Sequence, residues 1–409
     1  MTRFSRTITS LLFFAGCALL TPAAQAADWE GVFEGRLGKS KIIVQLVDTL
    51  DDLEGDTRRE ASRYSYLPGV RDINLMLSSQ EKQLGFEETP LQPYAFKDAA
   101  EVDKRVTGRW TLRVTGDTGA GTWTSPDGKK TLPIELSRVA DISAEQAGPD
   151  RNIQIATYDD LWAKTVRFAD AGSAKSFGSV EIRMVKDSAF GASFPILGKF
   201  PDAARMAKAN AVLLAAHLRA IVQYRECKNG VPVAWEEADG EPEFSHDVTY
   251  GSPTVLSFNE SGSVFCGGAH PSNYVKPVTY DLLAATQMGG TYVLDLSPLG
   301  FGRVLKLANK DERIAFERFA LARWNVAADR EKDAELASAC STGWIDESPE
   351  GEREFDLSFV PTGLAVTRVD FPHAASVCLS TDFNPTIIPW ADLKPWLKPG
   401  QKLLTTEIQ

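Results

Sequence analysis

The sequence predicts an exported α+β protein in two parts: an N-terminal antiparallel β-barrel or sandwich, then a domain of helices packed on an antiparallel sheet. Three observations predict it. The first 26 residues have the pattern of an export signal. Residues 28–139 carry short alternating apolar runs separated by glycine and proline turns. Beyond residue 178, similar runs are interleaved with two long stretches of helical spacing.

The signal is read from Arg3 and Arg6, the apolar run Ile8 to Leu20, and the small-residue site Ala24-Gln25-Ala26. The run is too short for a comfortable membrane span. Cleavage after Ala26 is expected; the competing reading is lipidation at Cys17, whose Phe14-Ala15-Gly16-Cys17 context loosely fits a lipoprotein box. Removing these 26 residues, with two arginines and no acid, takes 409 residues at charge −11 to 383 at −13. That acidity argues against nucleic acid or an anionic membrane as a partner. The expected location is the periplasm.

In the first domain, residues 28–139, strands are expected at Gly31–Leu37 and Lys41–Val47, with a turn at Gly38. Ile42-Ile43-Val44 breaks the alternation, as a strand buried on both faces would. Arg71–Leu77, Trp110–Val114, Gly121–Thr124 and Thr131–Leu136 follow, and Ser125-Pro126-Asp127-Gly128 is a turn in which glycine accepts positive φ. Seven or eight strands at this spacing suit a small barrel or sandwich. The opening Trp29-Glu30-Gly31 resembles the Trp-x-Gly start of calycin-type barrels. Trp29, Trp110 and Trp123 are candidates for an aromatic ligand platform, with core packing as the competing reading. Residues 140–177 read as a linker and connecting segment.

The second domain, 178–400, opens with strands at Val180–Val185 and Phe194–Leu197. A helix is then expected from Asp202 to Glu226, where Met206, Ala209, Val212, Leu213, Ala216, Ala220 and Ile221 share a face. His217 within it reads as a packed or rim histidine. Strands are expected near 254–258, 263–266 and 278–282, a second helix over Asp311–Ala339, and strands at 355–360, 363–369 and 376–381. Four cysteines remain after the signal, Cys227, Cys266, Cys340 and Cys378, and allow three pairings. Sequential pairing, Cys227–Cys266 and Cys340–Cys378, is favoured; it closes two loops of similar length, each contributing about 3–4 kcal/mol.

Several chemistries are excluded by missing motifs. The sequence has four histidines and no His-Glu-x-x-His, Gly-x-Ser-x-Gly, Gly-x-Gly-x-x-Gly or Cys-x-x-Cys pattern. No cofactor or metal is expected. The acidic loop from Asp346 places Leu357 where a calcium loop needs a bidentate Glu. It reads, like Glu236 to Glu241, as a charged surface loop able to dock a basic partner.

One segment is distinctive: Tyr250 to Phe258, then Cys266-Gly267-Gly268-Ala269-His270-Pro271, then Thr279-Tyr280-Asp281-Leu282. With Phe194-Pro195-Ile196-Leu197, Asn210 on the following helix, Phe371-Pro372-His373-Ala374 and Ile388 to Leu393, it resembles the RsiV-type domain. This is a family of bacterial envelope domains, and the likeness spans about residues 178–398. The resemblance implies binding rather than catalysis. The founding member is a membrane-bound anti-sigma factor that recognises lysozyme, and a similar domain precedes polysaccharide deacetylases. The implied partner is an envelope protein, lysozyme-like, or peptidoglycan. The competing readings are a cell-wall hydrolase using a His270/Asp281/His373 cluster and a lipocalin-like carrier with a hollow barrel. Cys266 and His270 themselves have two readings, a nucleophilic pair or a structural turn beside a disulfide.

Overall fold

The computed structural model describes residues 28–47, 62–80, 83–90, 106–141, 156–229, 244–264, 272–287, 301, 304–307, 309–323, 355–368, 385–402 and 404. The chain divides into two compact units. The first takes in residues through Tyr64, Leu75–Glu88 and Thr107–Tyr158; the second takes in Ser65–Asn74, Thr89–Val106 and Asp159–Gln409.

The first unit is built on a closed antiparallel barrel, and the sandwich alternative falls away. Its strands are β1 (Gly31–Leu37), β2 (Ser40–Leu46), β3 (Arg63–Tyr66), β4 (Ile73–Ser79), β5 (Leu84–Pro90), β6 (Gly108–Thr115), β7 (Thr118–Thr124) and β8 (Thr131–Ala140), paired in sequence with β8 returning to β1. Closure leaves no unpaired sheet edge. The β1–β2 turn is made by Gly38 at φ 59°, and Gly128 at φ 71° closes the Ser125–Gly128 turn. There Asp127 accepts from the Ser125 hydroxyl and the Lys129 amide, at 2.7 and 3.1 Å. Ile42 to Val47 are all buried, as Ile42-Ile43-Val44 without alternation implies for a strand covered on both faces. Gln45 within that run accepts from Arg63 Nε at 3.3 Å, and the Arg63 guanidinium lies 4.3 Å over the Tyr158 ring.

The second unit is mostly β, so it is α+β only in a coarse sense. A three-stranded sheet runs β11–β10–β9, from β9 (Phe168–Phe177), β10 (Val180–Asp187) and β11 (Ser193–Lys199). A four-stranded sheet holds β12 (Phe244–Gly251), β13 (Val255–Val264), β14 (Ser272–Asp281) and β15 (Thr286–Gln287). A third holds β16 (Phe355–Val360), β17 (Gly363–Arg368) and β18 (Thr386–Pro389). The described helices are α1 (Ala156–Ala163), α2 (Ala203–Asn229), α3 (Lys310–Leu321) and the single turn α4 (Trp390–Leu393).

Two sequence expectations change. The runs at 254–258 and 263–266 are one strand, β13, because its pairing with β14 continues from Val255↔Asp281 to Val264↔Ser272. The second helix, α3, stops at Leu321 rather than Ala339: Ala322 is its C-cap, and residues 324–339 lie outside the described residues. The strand expected at 376–381 lies outside the described residues; β18, which the sequence did not suggest as a strand, pairs at 386–389, with Ile388 buried.

Helix α2 organises one core. Asp202 caps it by accepting from the amides of Ala204 and Arg205, both at 3.0 Å. Its buried residues recur every fourth position: Ala209, Leu213, His217, Ile221, Arg225 and Asn229. Ala209 and Leu213 pack on Val180, Ile182, Phe194, Leu197, Phe258 and Tyr280. Asn210 exchanges two hydrogen bonds with the Leu197 backbone, at 2.8 and 2.9 Å, so a helix side chain satisfies a strand amide and carbonyl. A second core joins Phe316 of α3 to Phe355, Leu357 and Phe359 of β16 and to Leu364 and Val366 of β17.

Candidate functional site

The polar chemistry of the second unit gathers at the middle of the α2 stripe. His217 and Asp187 are both fully buried, with His217 Nε2 3.1 Å from Asp187 Oδ2. Asp187 ends β10, and its other oxygen accepts from the amides of Ala189, Phe190 and Gly191. Burial pushes this carboxyl up, but His217 and the backbone donors outweigh it and hold the group below its ordinary range. Burial also lowers the proton affinity of His217, outweighing Asp187. The neutral imidazole therefore donates from Nε2 to the carboxylate.

A second histidine lies beside it. The His217 and His246 ring centroids are 5.9 Å apart. Phe194 stacks on His217 at 4.4 Å and meets His246 edge-on at 5.1 Å. His246, from β12, has Nδ1 2.7 Å from the Ser193 carbonyl and Nε2 3.6 Å from Glu260 of β13. Both ring nitrogens thus face oxygen atoms, one of a backbone carbonyl and one of a carboxylate. Burial pushes Glu260 up, yet His246, Lys276 and Tyr274 together hold it below its ordinary value. Tyr274 is pushed far up by burial and by Glu260. The result is a line of acid, imidazole, phenyl ring, imidazole and acid across five elements. Each imidazole faces its own carboxylate, and the Phe194 ring packs against both imidazoles. Among the described residues no three His, Cys, Asp or Glu side chains converge as a metal site.

The barrel carries a second polar cluster. Inward-facing Glu88 of β5 receives Tyr64 Oη at 2.8 Å, Trp123 Nε1 at 2.8 Å and Trp110 Nε1 at 3.3 Å on one oxygen. Thr107 Oγ1 donates to the other at 2.8 Å. The ladder sets this up: Phe86↔Trp110 and Glu88↔Gly108 on one side, Trp110↔Trp123 on the other. A Cβ on Gly108 would sit 2.0 Å from Trp123 Nε1, so glycine there lets the indole reach the carboxylate.

The sequence candidates fall in different places. Trp110 is fully buried, Trp123 half-buried, and both indoles are used on Glu88; Trp29 packs edge-on against Phe86 at 6.1 Å. Asp281 is buried at the end of β14, where Oδ1 accepts from the Leu283 and Ala284 amides at 2.7 and 2.9 Å. Nine residue steps of β14, about 30 Å, separate it from Ser272 at the strand's other end. His270 and His373 lie outside the described residues, as do Cys266, Cys340 and Cys378. Cys227, on α2, is disulfide-bonded. His246, Asp187 and Glu260 are not legible as a site in the sequence, although a histidine on an apolar helical stripe is the signal for His217.

No family model matches the chain, and no curated protein does. A solved structure from Bacteroides fragilis aligns at a TM-score of 0.31 and 13% identity, covering 57% of this chain and 94% of that one. One from Pseudomonas aeruginosa aligns at 0.29 and 13%, with the same coverage. Both are described as members of the DUF3298 family. Among the described residues, no helix is long and apolar enough to cross a membrane.

Proposed function

We propose that this is an exported, periplasmic cell-envelope protein whose second unit is an RsiV-type domain that binds a protein or cell-wall glycan without catalysing a reaction. The observation that carries the reading is the β13–β14 register. It runs unbroken to Val264↔Ser272, the two described residues that flank the distinctive Cys266-Gly267-Gly268-Ala269-His270 segment in the sequence. Paired strands give such a motif a rigid scaffold on either side, and binding residues concentrate in segments that join such elements. The assembled polar groups elsewhere support the same reading. Asp281 serves its own turn, and Glu88 is saturated by four donors. The carrier alternative needs a hollow barrel, whereas Tyr64, Phe86, Trp110 and Leu112 occupy inward positions and are buried.

The test is capture. The mature protein, immobilised, is exposed to envelope extract and to purified peptidoglycan sacculi, and the experiment is repeated with His270→Ala. Retention of sacculi or of a lysozyme-like protein, lost in the variant, supports the reading. Glycan turnover without retention would favour the hydrolase alternative. The sequential disulfides belong to the same proposal, since Cys227–Cys266 would tie α2 to the segment that carries the distinctive motif. Non-reducing peptide mapping is expected to recover Cys227 with Cys266; a Cys227–Cys340 peptide would refute that pairing.

A further inference from the structure

We propose that Asp187, His217, Phe194, His246 and Glu260 form an acid-sensitive latch, which holds α2 on the strands β10 to β13 at neutral pH and lets it go as the medium turns acidic. The case begins with position. Along the buried stripe of α2, Leu213 and Ile221 are aliphatic, and between them the helix meets the sheet through His217. That ring lies flat on Phe194, 24° from parallel, and Phe194 meets Phe258 edge to face at 6.0 Å. Each histidine has its own carboxylate, Asp187 for His217 and Glu260 for His246. Removing the contact would uncover Ala209, Leu213, Ile221 and Phe194 together.

The groups facing His217 are Asp187 from β10, His246 from β12 and Glu260 from β13; β9 and β11 contribute the uncharged rings of Phe168 and Phe194. Burial and His246 oppose a proton on His217 more strongly than Asp187 and Glu260 favour it. The direction of the pH effect follows. A histidine whose proton affinity is depressed in the closed state takes up its second proton more readily when exposed. The stability it gives is therefore intact above its ordinary value of 6.5 and is lost as pH falls from there through the depressed value. Asp187 and Glu260 act in a separate window. Held below ordinary values of 3.8 and 4.5, they keep their contribution until the medium is more acidic than that. Between these windows the response is assigned to His217.

Hydrogen exchange on the full chain tests the latch. After correction for the chemical exchange rate, peptides from residues 203–229 are expected to exchange faster as pH is lowered from 7.5 to 5.0. The gain should approach about tenfold per pH unit over the steep part. In His217→Gln the pH response should vanish. Protection of α2 that is equal at both pH values, or a response that persists in the variant, overturns the proposal. If His217→Gln does not fold, the wild type decides through the proton NMR of its histidine rings. A histidine that titrates below 6.5 in step with α2 exchange supports the latch. Histidines that all titrate at the ordinary value while α2 stays protected refute it.

Discussion

Replacing Glu88 with Ala is expected to lower the stability of the barrel by about 3–5 kcal/mol, because buried donors lose their acceptor and a cavity opens. Tyr64 and Trp110 are both 1% exposed, so no solvent replaces the carboxylate for them. Each orphaned donor costs about 1–3 kcal/mol. Trp123 is only half-buried and recovers part of its loss from water. Glu88→Gln separates the two roles of the side chain. Its amide oxygen can take the place of the oxygen that receives Tyr64, Trp110 and Trp123, and its NH2 can donate to the Thr107 hydroxyl. What goes is the charge, which makes hydrogen bonds about twice as strong as neutral ones. The Gln variant should therefore lose about 1–2 kcal/mol, less than half the Ala effect. Urea unfolding of the full chain, followed by tryptophan fluorescence, reads both as a shift in midpoint at unchanged slope. Equal losses in the two variants would mean that charge, not acceptor geometry, holds the cluster together.

Glu88 also shows where reading the sequence stops. The β-domain, as a barrel or sandwich, is visible there because period-two runs such as Trp110-Thr111-Leu112 and turns such as Ser125 to Gly128 are local signals. An inward glutamate is not. Leu84-Gly85-Phe86-Glu87-Glu88 ends in two acids, and nothing local says that one of them points inside. Its partners are 19 to 35 residues away and meet it only through the ladder. The same limit applies in the second unit. The spacing of α2 is legible from Ala209, Leu213 and Ile221, Asn210 stands out beside Phe194–Leu197, and His217 is legible as a packed residue. Asp187, His246 and Glu260 lie 30, 29 and 43 positions from His217, so their meeting depends on sheet order, which periodicity does not encode. Strands β9 and β12 escape a sequence reading for a related reason. Exposed β9 is mostly small and polar, and it holds its place by pairing with β10 rather than by burying a face.

The other large effect is expected at Arg225, near the end of α2 and fully buried. Its guanidinium pairs with Asp72, lies 3.2 Å from Asp159 and stacks 4.8 Å over Trp162. Asn229, one turn on, donates to Asp72 and accepts from its backbone amide, both at 3.1 Å. Removing the cation alone, as in Arg225→Met, leaves Asp72 buried without it and should cost the second unit about 3–5 kcal/mol. Arg225→Lys should recover little, because one ammonium cannot face two carboxylates and also present a flat surface to an indole. The double variant Asp72→Asn/Arg225→Met removes both charges, and here the desolvation argument turns round. A buried pair is expensive to desolvate, so its replacement by neutral groups is far less damaging than the loss of one partner. The double variant should thus be more stable than Arg225→Met alone, with a coupling energy of about 1–3 kcal/mol from the complete cycle measured by urea denaturation. Losses that simply add would show that Asp72 and Arg225 act independently, and that the helix end is held by the Trp162 stack and the Asn229 bonds instead.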